Sequence, residues 1–275
     1  MTLETVQKRL ETLHQQSRVA AGSLIVSVFG DAVLPRGGGL WLGSLIGLME
    51  VLGINERLVR TSVFRLAKEE WLQTQTQGRR ANYQLTAVGR RRFEEASRHI
   101  YAAGAPEWDH RWRLVSTVGD INARTREALR RSMAWQGFGE LAVGLFVHPS
   151  ADLDVCLEAL QSDGLATVLP QLMPLLAANP CTAVSATDAD VVRKAWDMDL
   201  LAQGYTGFLE QYQPVLSELR GRRSSRLDGQ SAFVARILMI HDFRRLLLRD
   251  PELPDVLLPA KWPGQKARDL CRDLY

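Results

Sequence analysis

Basic and hydroxyl side chains recur at helical spacing in the segment after Asn55, and their chemistry is that of DNA binding. A helix of 3.6 residues per turn places them side by side, away from an apolar face: Arg57, Arg60, Thr61, Arg65 and Lys68. Guanidinium and ammonium groups bind phosphates, while arginine and hydroxyl side chains also read base edges. The pattern is typical of a helix that enters the major groove. The alternative is a solvated helix face with ordinary surface arginines.

The elements around this helix predict a helix-turn-helix followed by a wing. An apolar run over residues 40–52 has a helical rhythm and ends at Gly53, and Asn55 can cap the next helix, which is predicted to reach about Trp71. Two short strands, 73–77 and 83–86, flank a Gly-Arg-Arg tip and predict a β-hairpin. Helix, turn, basic helix and basic hairpin form the winged-helix arrangement. The predicted DNA contacts are Arg57, Arg60, Thr61, Ser62, Arg65, Lys68, Arg79 and Arg80.

The distribution of charge favours the same interpretation. The chain has a net charge of only +3, but residues 55–92 hold nine basic and three acidic side chains, a local net charge of +6. Residues 1–105 carry a net charge of +5, and residues 106–275 a net charge of −2. Since phosphate neutralisation supplies much of the affinity for DNA, a basic N-terminal segment followed by a nearly neutral remainder suits a DNA-binding protein.

Length and composition exclude several other classes. At 275 residues and 46% hydrophobic content, the chain predicts two or three globular domains. It contains no apolar run of about 18 residues and no secretory leader pattern, so no membrane segment is predicted. The three cysteines are scattered, which predicts free thiols in a cytoplasmic protein and no metal site.

The predicted fold class is mostly α with α+β parts, in three segments. Residues 1–104 form the winged helix-turn-helix domain, in which residues 23–29 are the first helix or, since period alone does not decide, a strand. Residues 105–188 predict a ferredoxin-like α+β unit, with a last strand beginning near residues 166–168. Residues 189–275 read as helical throughout.

The sequence gives little support for an enzymatic function. His241 and Asp242 are adjacent, so on a helix they diverge by about 100°, and a structural polar network is the simpler interpretation of them than a ligand site. The triglycine at residues 37–39 lacks the Lys-Ser/Thr of a phosphate-binding P-loop. No catalytic residue, metal or cofactor is therefore predicted.

Several motifs resemble the PaaX-type repressors, which regulate bacterial phenylacetic acid degradation. The resemblance is carried by Phe29-Gly30-Asp31, Pro35-Arg36-Gly37-Gly38, residues 60–66, Trp71-Leu72 and the stretch 78–86. It continues in Trp-Asp-x-x-Trp at 108–112 and, most specifically, in His241-Asp242-Phe243-Arg244-Arg245 through Trp262-Pro263-Gly264. Ala260 departs from the pattern, where an acidic residue is expected.

The resemblance implies a homodimeric repressor that binds a palindromic operator in double-stranded DNA through its winged helices. It associates the middle domain with dimer formation and implies release by an acyl-CoA effector, phenylacetyl-CoA or a related thioester. Arginine, lysine and aromatic side chains of the last segment suit such a ligand: Trp196, Tyr205, Arg236, His241, Arg244, Arg245, Lys261 and Trp262, with the basic loop Arg222, Arg223 and Arg226. The alternatives are a distal part that recruits a protein partner, and an enzyme that acts on acyl-CoA.

Overall fold

The chain forms two compact units in a computed structural model that describes residues 4–15, 20–78, 80–91, 107–179, 182, 184–221 and 228–275. The first unit comprises Met1–Tyr101, Tyr205–Arg245 and Gly264–Tyr275, and the second comprises Ala102–Gly204 and Leu246–Pro263. The predicted segments 1–104, 105–188 and 189–275 follow chain order, whereas packing assigns parts of the last segment to both units. The predicted fold class, mostly helical with two small antiparallel sheets, is confirmed.

The N-terminal part of the first unit is a winged helix-turn-helix. Its helices are Glu4–Gln15, Ala20–Val28, Leu42–Val51 and Glu56–Lys68, and its strands are Gly39–Trp41 (β1), Leu72–Gln77 (β2) and Arg80–Leu85 (β3). The strands pair antiparallel in the order β1-β3-β2, so the predicted hairpin is the wing. Residues 23–29 are helical, apart from a π-helical turn that begins at Phe29. The helix predicted over residues 86–101 is seen as a helical stretch at 87–91, and its remainder, with the domain boundary at 104–106, lies outside the described residues.

The predicted start of the helix that precedes the recognition helix is wrong. The apolar run from residue 40 predicts a helix, but Leu40 and Trp41 lie in β1, where they pair with Tyr83 and Asn82, and the helix begins at Leu42. An apolar run alone does not distinguish a buried strand from a helix, and β3 supplies the pairing partner.

The sheet of the second unit has the predicted ferredoxin-like topology. Its strands are Trp112–Thr117 (β4), Gly139–Ala142 (β5), Leu145–His148 (β6) and Leu172–Ala177 (β7), paired antiparallel in the order β5-β6-β4-β7. Helix Ala123–Trp135 joins β4 to β5, and helix Leu153–Leu160 lies between β6 and β7. Phe146 and Val147 are adjacent in β6 and belong to different hydrophobic clusters, so side chains cover both faces of the sheet.

The last strand of this sheet begins later than the sequence predicts. Residues 166–168 are not its start, because Ala166–Gln171 forms a 3-10 helix and β7 begins at Leu172. Of residues 166–168, Val168 is a core residue, buried with the neighbouring Leu165 in the cluster around Val115.

The described part of the C-terminal third, predicted as helical throughout, is α-helical apart from short breaks and residues 248–263, where Asp255–Leu257 forms a 3-10 helix. Its helices are Asp188–Ala195, Met198–Gly221, Gly229–Leu247 and Gly264–Leu274. The helix Met198–Gly221 continues through Pro214, which an α-helix tolerates poorly because proline lacks the amide donor. No helix in the described ranges is long and apolar enough to cross a membrane.

Candidate nucleic-acid interface

The recognition helix Glu56–Lys68 is fixed at its N-terminus by local hydrogen bonds. Gly53 adopts a positive φ of 75°, which ends the preceding helix. The Asn55 side chain accepts a hydrogen bond from the backbone N–H of Leu58 at 2.9 Å, so Asn55 is the N-cap as predicted. The helix ends at Lys68 rather than near Trp71, because Glu70 has a φ of 60° and turns the chain into β2.

One face of this helix is anchored in the core, and the opposite face is free for a partner. Val59, Val63 and Leu66 are buried. All five basic and hydroxyl residues that the spacing aligns are exposed: Arg57, Arg60, Thr61, Arg65 and Lys68. Ser62 is an exception among the predicted DNA contacts, because only 6% of it is exposed. It follows Val59 by three residues and precedes Leu66 by four, and this spacing places it on the buried face.

The exposed basic residues differ in how strongly their side chains are already engaged. Arg60 forms an ion pair with Glu56 at 2.7 Å, and the Nε atom of Arg65 lies 3.7 Å from a carboxylate oxygen of Glu69. The guanidinium of Arg65 also lies close to Gly22 of helix Ala20–Val28. Within the described residues, Arg57 has no ion-pair partner, so its guanidinium remains available to a phosphate or a base.

The wing, which follows this helix along the chain, carries further basic residues. Gln77 pairs with Arg80 across the hairpin, and Gly78 takes a φ of 60°, a value that favours glycine. Arg80 is exposed. Arg79, the other predicted contact at the tip, lies outside the described residues.

Phe64 is an exposed aromatic residue of the recognition helix that the sequence reasoning missed. It is 73% exposed and lies on the side of the helix opposite the buried Leu66 and Val59. The helical wheel already contains the signal, because residue 64 is three or four positions from Lys68, Arg60 and Thr61.

The residues predicted to bind an effector fall into both units. In the first unit, Tyr205 and His241 are fully buried, Arg244 is buried, and Arg245 is exposed. The second unit holds the half-buried Trp196 and Trp262 and the exposed Lys261. The basic loop residues Arg222, Arg223 and Arg226 lie outside the described residues. Burial therefore removes several of these side chains from direct access to a ligand.

Arg236, His241 and Arg244 hold helix Gly229–Leu247 against helix Ala20–Val28 and the π-helical turn that follows it. Arg236 forms a bidentate ion pair with Asp31, at 2.8 and 3.0 Å, and its guanidinium lies 4.1 Å from the ring centroid of Tyr275. The Nδ1 atom of His241 lies 3.0 Å from the Ser27 hydroxyl, and an Arg244 Nη2–H donates to the Ser23 carbonyl oxygen at 3.3 Å. Burial lowers the pKa of Arg244 to about 10, which leaves it charged at pH 7. These contacts form the structural network that the sequence favoured for His241.

In the second unit, aromatic residues cluster beside a cavity. The Nε1–H of Trp196 donates to the Gly137 carbonyl oxygen at 3.0 Å, and its ring lies 6.5 Å from that of Trp112. A cavity of about 380 Å³ lies in this unit. Its walls include Trp108, His110, Arg193, Leu257, Leu258 and Pro259. The lining combines an indole ring and aliphatic side chains with two charged groups, Arg193 and Asp188, and Arg193 also forms an ion pair with Asp190.

The described cysteines are not reactive groups. Burial raises the pKa of both the Cys156 and the Cys271 thiol to about 12, so both are protonated at neutral pH. The described ranges contain no cluster of side chains suited to holding a metal ion. Cys181 lies outside them.

Three segments of the chain match models of one protein family. Residues 20–89 match "PaaX-like protein", residues 105–172 match "PaaX protein central Cas2-like domain", and residues 196–275 match "PaaX-like protein C-terminal domain". The chain is 37% identical over 257 residues to "Transcriptional repressor PaaX" of Escherichia coli (strain K12), which covers 94% of this chain and 80% of the relative. This relative is a repressor, which confirms the prediction that the chain is not an enzyme.

The fold is also similar to that of a solved structure. "Uncharacterized protein Rv0674 from Mycobacterium tuberculosis" has a TM-score of 0.57 and 25% sequence identity. The similarity covers 92% of this chain and 93% of that chain. The architecture is thus shared across nearly the full length of both proteins.

Proposed function

The chain belongs to the PaaX-like family of transcriptional repressors, and from this we propose that it represses genes for the catabolism of phenylacetate or a related aromatic acid. It would act in the cytoplasm by binding a palindromic operator in double-stranded DNA. The observation that carries this proposal is the exposed basic face of the recognition helix, opposite the buried Val59, Val63 and Leu66.

The geometry supports different DNA contacts for the helix and the wing. Arg57 lies on the exposed face in the first turn of the helix, and its guanidinium can donate two hydrogen bonds to the major-groove edge of guanine. Lys68 is a flexible point charge, which suits phosphate contacts. At the wing, Arg80 would contact the backbone or the minor groove.

We expect Arg57→Ala to weaken operator binding by about 1–3 kcal/mol, or roughly 5- to 150-fold, if Arg57 reads a base. The exposed position of Arg57 leaves the fold unchanged by the substitution. A gel shift at fixed salt, with DNA upstream of the protein's own gene cluster, measures the effect. Arg249→Ala removes an exposed arginine of the second unit and is the matched control. Equal affinity of both variants and the wild type would exclude Arg57 from the interface.

The same gel shift tests the effector. We propose an aryl-acetyl thioester of coenzyme A, such as phenylacetyl-CoA, because the family resemblance implies it and the cavity beside Trp108 offers an indole ring and aliphatic walls to the aryl group. Phenylacetyl-CoA should release the protein from DNA and raise its melting temperature, while free coenzyme A should do neither at the same concentration. A specific DNA shift that ignores both compounds would instead favour a distal part that recruits a protein partner.

We also propose that the repressor is a homodimer formed through the edge of the ferredoxin-like sheet. β7 is an edge strand, and its outer residues Met173, Leu175 and Leu176 are exposed apolar side chains. An exposed apolar edge strand is prone to pair with another strand, and two copies of one strand pair antiparallel about a two-fold axis. A two-fold dimer presents two winged helices to the two halves of a palindrome.

We expect Leu176→Lys to convert the dimer to a monomer, because a charge at this edge opposes the burial of apolar surface in the dimer. Light scattering at micromolar concentration measures the mass. Val155→Lys is the matched control, because Val155 and Leu176 are each 59% exposed and lie in the same unit. A Leu176→Lys protein that remains dimeric would place the dimer interface elsewhere.

A further inference from the structure

Phe64 is an exposed aromatic residue on a helix face whose other exposed side chains are mostly basic. It is 73% exposed, whereas the next most exposed aromatic side chains of the described residues, Trp135 and Tyr275, are each 52% exposed. On a helix of 3.6 residues per turn, Phe64 lies within about 60° of Arg57, Arg60, Thr61 and Lys68. Single exposed hydrophobic residues are common, but this one lies in the middle of the surface proposed to enter the major groove.

The side chains next to Phe64 leave its ring uncovered. Two of them, Arg60 and Thr61, already use hydrogen-bond donors within the helix. Arg60 is held by Glu56 at 2.7 Å. Thr61 donates its hydroxyl proton to the Arg57 carbonyl oxygen at 2.9 Å, so Thr61 offers a partner only a methyl group and an acceptor. The middle of the face is therefore an apolar spot, formed by the Phe64 ring and the Thr61 methyl group, with cationic side chains around it.

The major groove presents one apolar group to such a spot. Thymine carries a C5-methyl group there, and apolar side chains such as phenylalanine contact it, whereas guanine, cytosine and adenine carry no methyl group. The surrounding arginine and lysine charges would hold the helix against the phosphates and bring the ring to the base edges.

We propose that Phe64 reads a thymine in each half of the operator through the thymine C5-methyl group, and so determines sequence specificity at that base pair. This proposal rests on the proposed DNA-binding function. It predicts that the operator has an invariant A·T pair at the position that faces Phe64. Uracil pairs with adenine as thymine does but lacks the methyl group, so it isolates the contact.

The test is a cycle of two protein forms and two DNA forms. Wild-type protein and Phe64→Ala are titrated, at one salt concentration, with an operator obtained by binding-site selection with the wild-type protein. The same operator is then prepared with each thymine replaced in turn by deoxyuridine. At one position per half-site, the loss of the methyl group should lower wild-type affinity about fourfold, the effect expected for one buried methyl-sized group. The same replacement should leave Phe64→Ala affinity unchanged.

Two further variants separate this reading from other roles of the ring. Phe64→Leu keeps apolar contact and should retain part of the deoxyuridine effect, and Trp135→Ala removes an exposed aromatic residue elsewhere and should retain all of it. Unchanged melting temperatures confirm that the variants fold. Two results would overturn the proposed contact between Phe64 and the thymine methyl group while the repressor function stands. In the first, the wild type binds a specific sequence but no deoxyuridine replacement lowers its affinity. In the second, the loss of affinity persists in Phe64→Ala. If Phe64→Ala changes only the oligomeric state, the ring belongs to a protein interface. If the wild type selects no sequence, both the proposed contact and the repressor function are overturned.

Discussion

Replacing Asp242 with asparagine is expected to lower the free energy of unfolding by about 3–5 kcal/mol, the usual cost of removing one partner of a buried ion pair. Asp242 accepts two hydrogen bonds from the Arg9 guanidinium, at 2.7 and 2.6 Å, and one from the Tyr212 hydroxyl at 2.7 Å. Burial alone would raise the pKa of Asp242, but Arg9 and the Tyr212 hydroxyl hold that pKa below its ordinary value. Asparagine leaves the Arg9 charge buried without a counter-charge.

Urea unfolding followed by circular dichroism measures this loss. Asp269→Asn is the control, because Asp269 pairs with Arg272 in an exposed helical i, i+3 arrangement, where an ion pair contributes only a few tenths of a kcal/mol. The Asp242→Asn variant should also bind less DNA near its lowered melting temperature, since Arg9 and Asp242 belong to the unit that carries the recognition helix. Equal stability of the two variants would contradict a structural role for the Arg9–Asp242 pair.

Lowering the pH from about 6.5 to about 4 is expected to cost the protein about 3 kcal/mol of stability through His241 alone. His241 is 1% exposed, and burial lowers its pKa to about 4. Among its charged neighbours, Asp242 opposes this shift, while Arg244, Arg245 and Arg9 add to it. Histidine in the unfolded chain titrates near 6.5, so between these two values the unfolded state binds a proton that the folded state refuses. The contribution is therefore intact above pH 6.5, falls with decreasing pH, and levels off below about pH 4.

The free energy of unfolding as a function of pH tests this expectation. His241→Gln keeps a polar group near Ser27 but cannot take up the proton, so the slope between pH 6.5 and 4 should decrease by about one proton. An unaltered slope in His241→Gln would show that His241 does not titrate abnormally in the folded protein.

Local patterns in the sequence predicted the winged helix well because its signals act over short distances. The helical spacing, the Asn55 cap and the stop at Gly53 each depend on residues within one or two turns, and the structure confirms all three. Glycine at the hairpin tip likewise predicted the wing. The ferredoxin-like order also followed from the succession of strands and helices along the chain.

The errors arose where a long-range partner decides between local alternatives. Leu40 and Trp41 are strand residues because β3 pairs with them, and Val168 is a core residue rather than the start of an edge strand. For Ser62, one of the predicted DNA contacts, the signal is local, because its spacing from Val59 and Leu66 puts it on the buried face. Polarity alone did not reveal the face to which it belongs.

By itself, the sequence determined the basic recognition helix, its hairpin, the ferredoxin-like succession and the family, because period, caps and motifs are local properties. Only the tertiary structure decided that helix Gly229–Leu247 contacts helix Glu4–Gln15 and residues 20–33. Arg9 and Asp242 are 233 residues apart, and Asp31 and Arg236 are 205 apart. A charge in a sequence carries no sign of its partner, and burial, which makes such a pair matter, exists only after the chain has folded.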